Sequence, residues 1–245
     1  LFPIFISNNT DHIDTLETTL TAAFGTITTK SDNILKYLGM AITTNEDDTI
    51  TISQAPYITK ILDKANMSNC NSVPTPCSEK TTTNKPTDKE KVNSQEYLGL
   101  IGMLNYAAVL TRPDILYPVS RLAQKCSNPT AGDLRKVYRV FRYLQGTKHL
   151  GITFKPGDGK ITLYGYVDAS YHTYDNAASQ YGYSFSLHSK GTSKDSTFYA
   201  RSSRMKLVTL SSTESFVVIQ LIVLACVMFF PELTTQNFHE FVPKK

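Results

Sequence analysis

At 245 residues the chain is long enough for two modest domains or one large one, and either can bury a sizeable core. Apolar residues make up 41% and charged residues 19%, which excludes an intrinsically disordered chain. The net charge of +4 is too mild to demand or exclude nucleic acid, so its placement matters more.

That placement is uneven. Between Thr130 and Leu150 the bases Arg135, Lys136, Arg139, Arg142 and Lys148 face only Asp133, an excess equal to the +4 of the whole chain. Cys70, Cys77, Cys126 and Cys226 show no metal-ligand spacing beyond a loose pair at 70 and 77, and no His stands beside them. With no secretory signal, they read as reduced thiols of a cytoplasmic or nuclear protein. The first residue is Leu rather than Met, which points to a piece of something longer.

In chain order, Leu1–Ser7 is expected as a short apolar strand closing on Asn8 and Asn9. From Asp11 the period turns helical. Ile13, Leu16, Leu20 and Ala23 share a face, Asp11, Asp14 and Glu17 occupy the early turns favoured by the helix dipole, and Gly25 ends the helix. Two β-rich runs, LKYLGMAI (35–42) and TITISQ (49–54), surround a polar turn over 43–48 and predict a hairpin. Helical period returns at Pro56–Met67, with Ile58, Ile61, Leu62 and Ala65 on one face. Residues 69–93 hold three prolines, a run of Thr and Lys and almost nothing apolar, which predicts a linker or exposed loop.

The stretch Tyr97–Phe154 is the best punctuated. Leu98, Ile101, Leu104, Tyr106 and Ala108 mark a first helix. Thr111 then fits an N-cap, with Pro113 near the start of the second helix and Asp114 three residues after the cap. Ile115, Val119, Leu122 and Cys126 form its inward stripe. Asn128 is expected to cap a third helix that Pro129 opens and Gly146 closes, with Leu134, Val137, Phe141 and Leu144 facing the core. Arg135, Arg139 and Arg142 step along its other side. A stripe of this kind is ordinarily a solvated face. Flanked by Tyr138 and Tyr143, it also has the form of a helix that tracks phosphates with little sequence preference.

After Gly151 the pattern becomes β: ITLYGYVDAS (161–170), GYSFSLHS (182–189) and STFYARSS (196–203). LVTLSSTES (207–215) then leads into an apolar helix that Ser211 or Ser212 can cap, with Glu214 in its first turn. The run Phe216–Phe230 is interrupted only by Gln220 and stops at Pro231. A bilayer span needs roughly 20 apolar residues, so a buried helix is expected rather than a membrane span. Asp168, at the end of the first of these strands, and Glu214 each have ordinary readings as a turn Asp and a dipole-stabilising Glu. Together they suggest acids converging on Mg²⁺, which binds through carboxylates and substrate phosphates in two-metal phosphodiester cleavage.

In order and spacing, YLGLIGMLNYAAVLTRPDILYPVSRLAQKCSNPT, RVFRYLQGTKHLGITF, YGYVDAS, SQYGYSF and LVTLSSTES resemble the C-terminal part of a copia-type retrotransposon polyprotein. LKYLGMAI, ISQAPYITKIL and VPTP extend the likeness upstream. The resemblance implies an α+β chain: 1–68, the end of a reverse-transcriptase palm and thumb; 69–95, a linker; 96–150, a helical connection; 151–230, a truncated ribonuclease H-like domain with a three-stranded sheet and one helix; 231–245, an unrelated tail. It further implies that Asp168 and Glu214 are the first two metal-binding carboxylates of the nuclease, that the hairpin grips the primer end, and that the arginine-striped helix lies along an RNA–DNA duplex. No small-molecule substrate is implied. The parent cofactor is Mg²⁺, and the natural partners are nucleic acid and the rest of the polyprotein.

Two departures bear on activity. The family's polymerase Asp pair should precede a strand like IFIS, and here Leu1–Phe2–Pro3 stands there. The nuclease's two later aspartates are missing too, since no Asp follows Asp195 and the only later acids besides Glu214 are Glu232 and Glu240. The expectation is an enzyme remnant without useful activity. Beside it stand a non-catalytic nucleic-acid-binding module built on 130–149 and, third, a reused domain anchored in a membrane by 216–230.

Overall fold

The structure, a computed structural model, describes residues 9–28, 33–77, 89–155, 157, 161–170, 179–189 and 196–205. Among these it is α+β, with five α-helices and two antiparallel sheets. The expected strand at 1–7, Glu214, the apolar run 216–230 and the tail acids Glu232 and Glu240 lie outside the described residues. No described helix is long and apolar enough to cross a membrane.

Helix α1, Thr10–Phe24, opens where Asn9 accepts from the Asp11 N–H and closes at Gly25, whose φ of 83° suits glycine. Its stripe of Ile13, Leu16 and Leu20 is only half-buried. The first sheet follows, in the order β1-β2-β3-β4. Its strands are β1 (Ile34–Tyr37), β2 (Met40–Thr44), β3 (Ile50–Ser53) and β4 (Gly151–Phe154). The run LKYLGMAI, expected as one strand, is therefore two. It reverses at Leu38–Gly39, both with positive φ (48° and 76°), so a two-residue turn pairs Tyr37 with Met40. An Asn-Gly would have announced such a turn; Leu-Gly does not. The second turn is the expected Asn/Asp one. Asn45 Nδ2 donates to Thr49 Oγ1 at 2.8 Å, and the Thr49 hydroxyl donates to Asp47 at 2.6 Å. Strand β4 joins this sheet from the far side of the helices, pairing Gly151 with Ser53 and Phe154 with Ile50. Only glycine fits at 151, because a Cβ there would lie 2.4 Å from the Ile52 carbonyl oxygen.

Helices α2 (Ala55–Lys64), α3 (Ser94–Leu110), α4 (Leu116–Ala123) and α5 (Ala131–Gly146) share one core. Ile58, Leu104, Ile115, Val137, Val140, Phe141 and Leu144 are all fully buried in it. The inward stripes expected for α4 and α5 hold, with Val140 added and Leu134 and Cys126 only partly buried. Two caps fall elsewhere than expected. Thr111 ends α3 instead of starting α4, and its hydroxyl donates to Gln54 Oε1 at 2.8 Å; a short 3₁₀ turn, Pro113–Ile115, then leads into α4. Thr130, not Asn128, opens α5. Its hydroxyl accepts from the Asp133 N–H while the Asp133 carboxylate accepts from Thr130 N, a capping box that contributes about 1 kcal/mol.

The Tyr97 hydroxyl donates to the Leu122 carbonyl at 3.0 Å and links α3 to α4. Burial, with smaller contributions from Asp133 and Cys126, holds its phenol far above the ordinary tyrosine value. The folded chain thus keeps a proton that the unfolded chain releases near pH 10. Stability from this group is complete below that pH and declines as pH rises through and beyond it. Denaturant midpoints taken across pH 9–11 should fall for the native chain and fall less steeply for Tyr97→Phe. An equally steep fall in that variant would remove Tyr97 as a cause.

The second sheet is the expected one of three strands, β5 (Ile161–Ser170), β6 (Gln180–Ser189) and β7 (Ser196–Arg204), in sequence order. Val167, Tyr183 and Phe185 are buried on one of its faces. Asp168, whose neighbours point the other way by the two-residue alternation, is exposed.

Candidate nucleic-acid interface

The basic helix α5 is the starting point. Arg135 and Lys136 are exposed, Arg139 and Arg142 half-buried, and Lys148 half-buried just past the helix end. The two flanking tyrosines turn away from the stripe. Tyr138 packs on the core, and Tyr143 packs there too while its hydroxyl donates to Asp114 Oδ2 at 2.7 Å.

Arg139 and Arg142 already hold part of the chain itself. Arg142 Nε donates to the Asn71 carbonyl at 2.7 Å, Arg139 Nη2 to the Thr75 hydroxyl at 3.0 Å, and Gln145 Nε2 to the Ser68 carbonyl at 2.7 Å. Gly146 completes the seat, since a Cβ there would lie 2.8 Å from Ser72 Cβ. The stretch Ser68–Thr75, expected from residue 69 onward as linker or exposed loop, is therefore a strap laid along α5. Its signal in the sequence was the pair Pro74 and Pro76, which favour an extended chain with little entropy left to lose on docking.

At the same C-terminal end of α5 a buried arginine ties the helices together. Arg112 is 1% exposed. Its Nε and Nη2 meet the two Asp114 carboxylate oxygens at 3.0 and 2.7 Å, and Nη1 and Nη2 reach the Thr147 carbonyl and hydroxyl at 2.8 and 2.7 Å. The Tyr143 ring lies 5.5 Å from the guanidinium carbon. Neither Arg112 nor Thr147 stood out in the sequence. An arginine beside Pro-Asp in an apolar surround was the available sign, because buried guanidinium groups need a carboxylate within reach.

The hairpin is clamped to the same body. Tyr106 donates its hydroxyl to the Leu38 carbonyl at 2.6 Å, Tyr57 donates to the Met103 carbonyl at 3.1 Å, and the two rings meet edge-on at 4.8 Å. The β1–β2 turn thus sits on α3 beside α2, over a shallow groove floored by Gly99 and Gly102.

Asp168 stands apart from these features. Its Oδ1 accepts from the Ala169 N–H at 2.9 Å. Across the sheet it faces Gly182 on β6, and Gly182 faces Ser202 on β7, so neither ladder neighbour is an acid. Among the described residues no three His, Cys, Asp or Glu side chains gather as a metal site. Glu214, the acid expected to converge with Asp168 on Mg²⁺, lies outside the described residues.

No family model matches the chain. Among curated proteins it is 37% identical over 120 residues to the retrovirus-related Pol polyprotein of transposon RE1 from Arabidopsis thaliana, covering 49% of this chain and 8% of that protein. It is 33% identical over 171 residues to the corresponding polyprotein of transposon TNT 1-94 from Nicotiana tabacum, covering 67% of this chain and 12% of the relative. A secreted RxLR effector protein 161 of Plasmopara viticola is 36% identical over 119 residues, 48% of this chain and 79% of that protein. The chain thus spans about a tenth of the transposon polyproteins it matches.

Proposed function

As a member of the copia-type retrovirus-related Pol polyproteins of transposons, the chain is one segment of a much larger protein, and we propose that this segment grips an RNA–DNA duplex without performing chemistry on it. In this reading the hairpin and α2 are the end of a polymerase palm and thumb, α3–α5 are the connection, and the second sheet is a truncated ribonuclease H-like domain. The observation that carries the reading is the clamp of Tyr106 and Tyr57 on the hairpin turn. It makes hairpin, α2, α3 and the basic helix α5 one body, as a scaffold that holds a duplex in register requires. Arg135 and Lys136 supply the outward charge on that body, and Lys148 extends it.

The family's polymerase Asp pair has no counterpart ahead of IFIS, where Leu1–Phe2–Pro3 stands, so polymerase chemistry is not assigned to this segment. The nuclease half retains Asp168 and Glu214 as the acids of its incomplete metal set, so Mg²⁺ would be held weakly and the attacking water left unplaced. The test is binding to a labelled RNA–DNA hybrid across a salt series. The double variant Arg135→Gln, Lys136→Gln should lower the slope of log affinity against log salt by about two, since each phosphate contact contributes roughly 0.9. An unchanged slope would refute α5 as the contact. Hybrid incubated with Mg²⁺ should remain intact, and cleavage that Asp168→Asn abolishes would overturn the proposed inactivity.

A further inference from the structure

The strap Ser68–Thr75 occupies two of the basic side chains of α5, Arg139 and Arg142. Its sequence, SNCNSVPT, contains no acid, and Arg139 and Arg142 donate there to a hydroxyl and a carbonyl, both neutral acceptors. The Arg139 guanidinium is also only half used. On its Nε–Nη2 edge, Nη2 donates to Thr75, whereas Nε is buried with no hydrogen-bond partner among the described residues. That edge is the fork that Arg112 uses to take both oxygens of Asp114. A guanidinium edge fits two oxygens of one anion, and hydrogen bonds to an anion are roughly twice as strong as those to neutral acceptors.

We propose that Arg139 and Arg142 form a latent phosphodiester-binding site beneath the strap, and that displacement of the strap admits the backbone of the duplex. The inference rests on α5 as the nucleic-acid face and adds a gate to it. With the strap seated, Arg135 and Lys136 make the contacts. With the strap displaced, one phosphate takes the Arg139 fork through its two non-bridging oxygens and a neighbouring phosphate takes Arg142. The strap thereby competes with nucleic acid for the same donors, and weak duplex binding by the seated form is built into the chain.

Gly146 offers a way to loosen the strap without altering any charge. In Gly146→Ala the new methyl would meet Ser72 Cβ at 2.8 Å, while the helix itself favours alanine. Gln145→Ala, which removes the tether to Ser68, is a second and independent loosening. For the full chain and each variant, amide hydrogen exchange over residues 69–77 reports the strap, and a salt series with a 20-base-pair RNA–DNA hybrid reports binding. The expected result is faster exchange together with a salt slope about two steeper, so that the affinity lost between 50 and 200 mM salt grows about tenfold. Adding Arg139→Gln and Arg142→Gln should return the slope to that of the native chain. Faster exchange with an unchanged slope would overturn the gate and leave duplex binding by Arg135 and Lys136 standing. Exchange unchanged in both variants would equally overturn it, because the strap would not be displaceable at its tethers. No hybrid binding by any form would remove the gate together with the proposed function.

Discussion

Replacing Arg112 by leucine should destabilise the chain by about 3–5 kcal/mol, the loss expected when one partner of a buried ion pair is removed. The side chain is 1% exposed and makes four hydrogen bonds, two to Asp114 and two to Thr147. Leucine fills some of the volume but removes the Arg112 donor from Asp114 Oδ1, while the Thr147 carbonyl keeps the Leu150 N–H and Asp114 Oδ2 keeps the Tyr143 hydroxyl. Asp114 can recover some hydration, because its side chain is 35% exposed, so most of the cost falls in the lost link between the α3–α4 corner and the end of α5. Lysine should recover little, having a point charge in place of a planar fork. Urea unfolding followed by far-ultraviolet circular dichroism measures this directly. A loss below about 1 kcal/mol would show that the arginine is a replaceable surface pair.

The second large effect is expected at Phe141. It is fully buried where α5 meets the other core helices, and Phe141→Ala should cost about 3–5 kcal/mol through lost burial and the cavity left behind. Against a typical total of about 5–15 kcal/mol, either this change or Arg112→Leu leaves a marginal protein. Lys136→Ala, one helix face away and exposed, should stay within about 0.5 kcal/mol. Comparable losses at 136 and 141 would mean that the core is not assembled around α5.

The sequence was most legible where periodicity and burial coincide. The stripes Ile115–Val119–Leu122 and Val137–Phe141–Leu144 could be read because one face of each helix is buried and the spacing follows the helical repeat. The three strands of the second sheet were bounded by turn residues and came through with their order intact. Misplacements occurred where a local signal had two uses. Thr111 has the form of an N-cap, but its hydroxyl is taken by buried Gln54, a partner 57 residues away that no local pattern reveals. Asn128 and Thr130 both suit a cap, and only the reciprocal bond with Asp133 decides between them. Leu38 has positive φ in a two-residue turn, and Tyr106 holds its carbonyl from another element. The strap was not legible for the same reason: two of its three bonds use backbone carbonyls, which every residue has. For the candidate site, the basic helix and Asp168 were legible as residue types in a pattern. The division of the stripe into outward and strap-bound arginines depends on tertiary contacts.

The pairing of Gly151 with Ser53 has a kinetic consequence. These partners are about a hundred residues apart, and bringing the ends of so long a loop together from an open chain carries a large entropic penalty that contacts repay only afterwards. The intervening helices reduce that penalty. Once α2 through α5 have gathered around their common core, the end of α5 delivers β4 to the edge of β3, and the last strand is added as a near-local step. The hairpin can form early from neighbouring residues, the helices collapse next, and β4 closes the circuit last. Completion of the first sheet is thus a report that the helical body between its strands has already assembled.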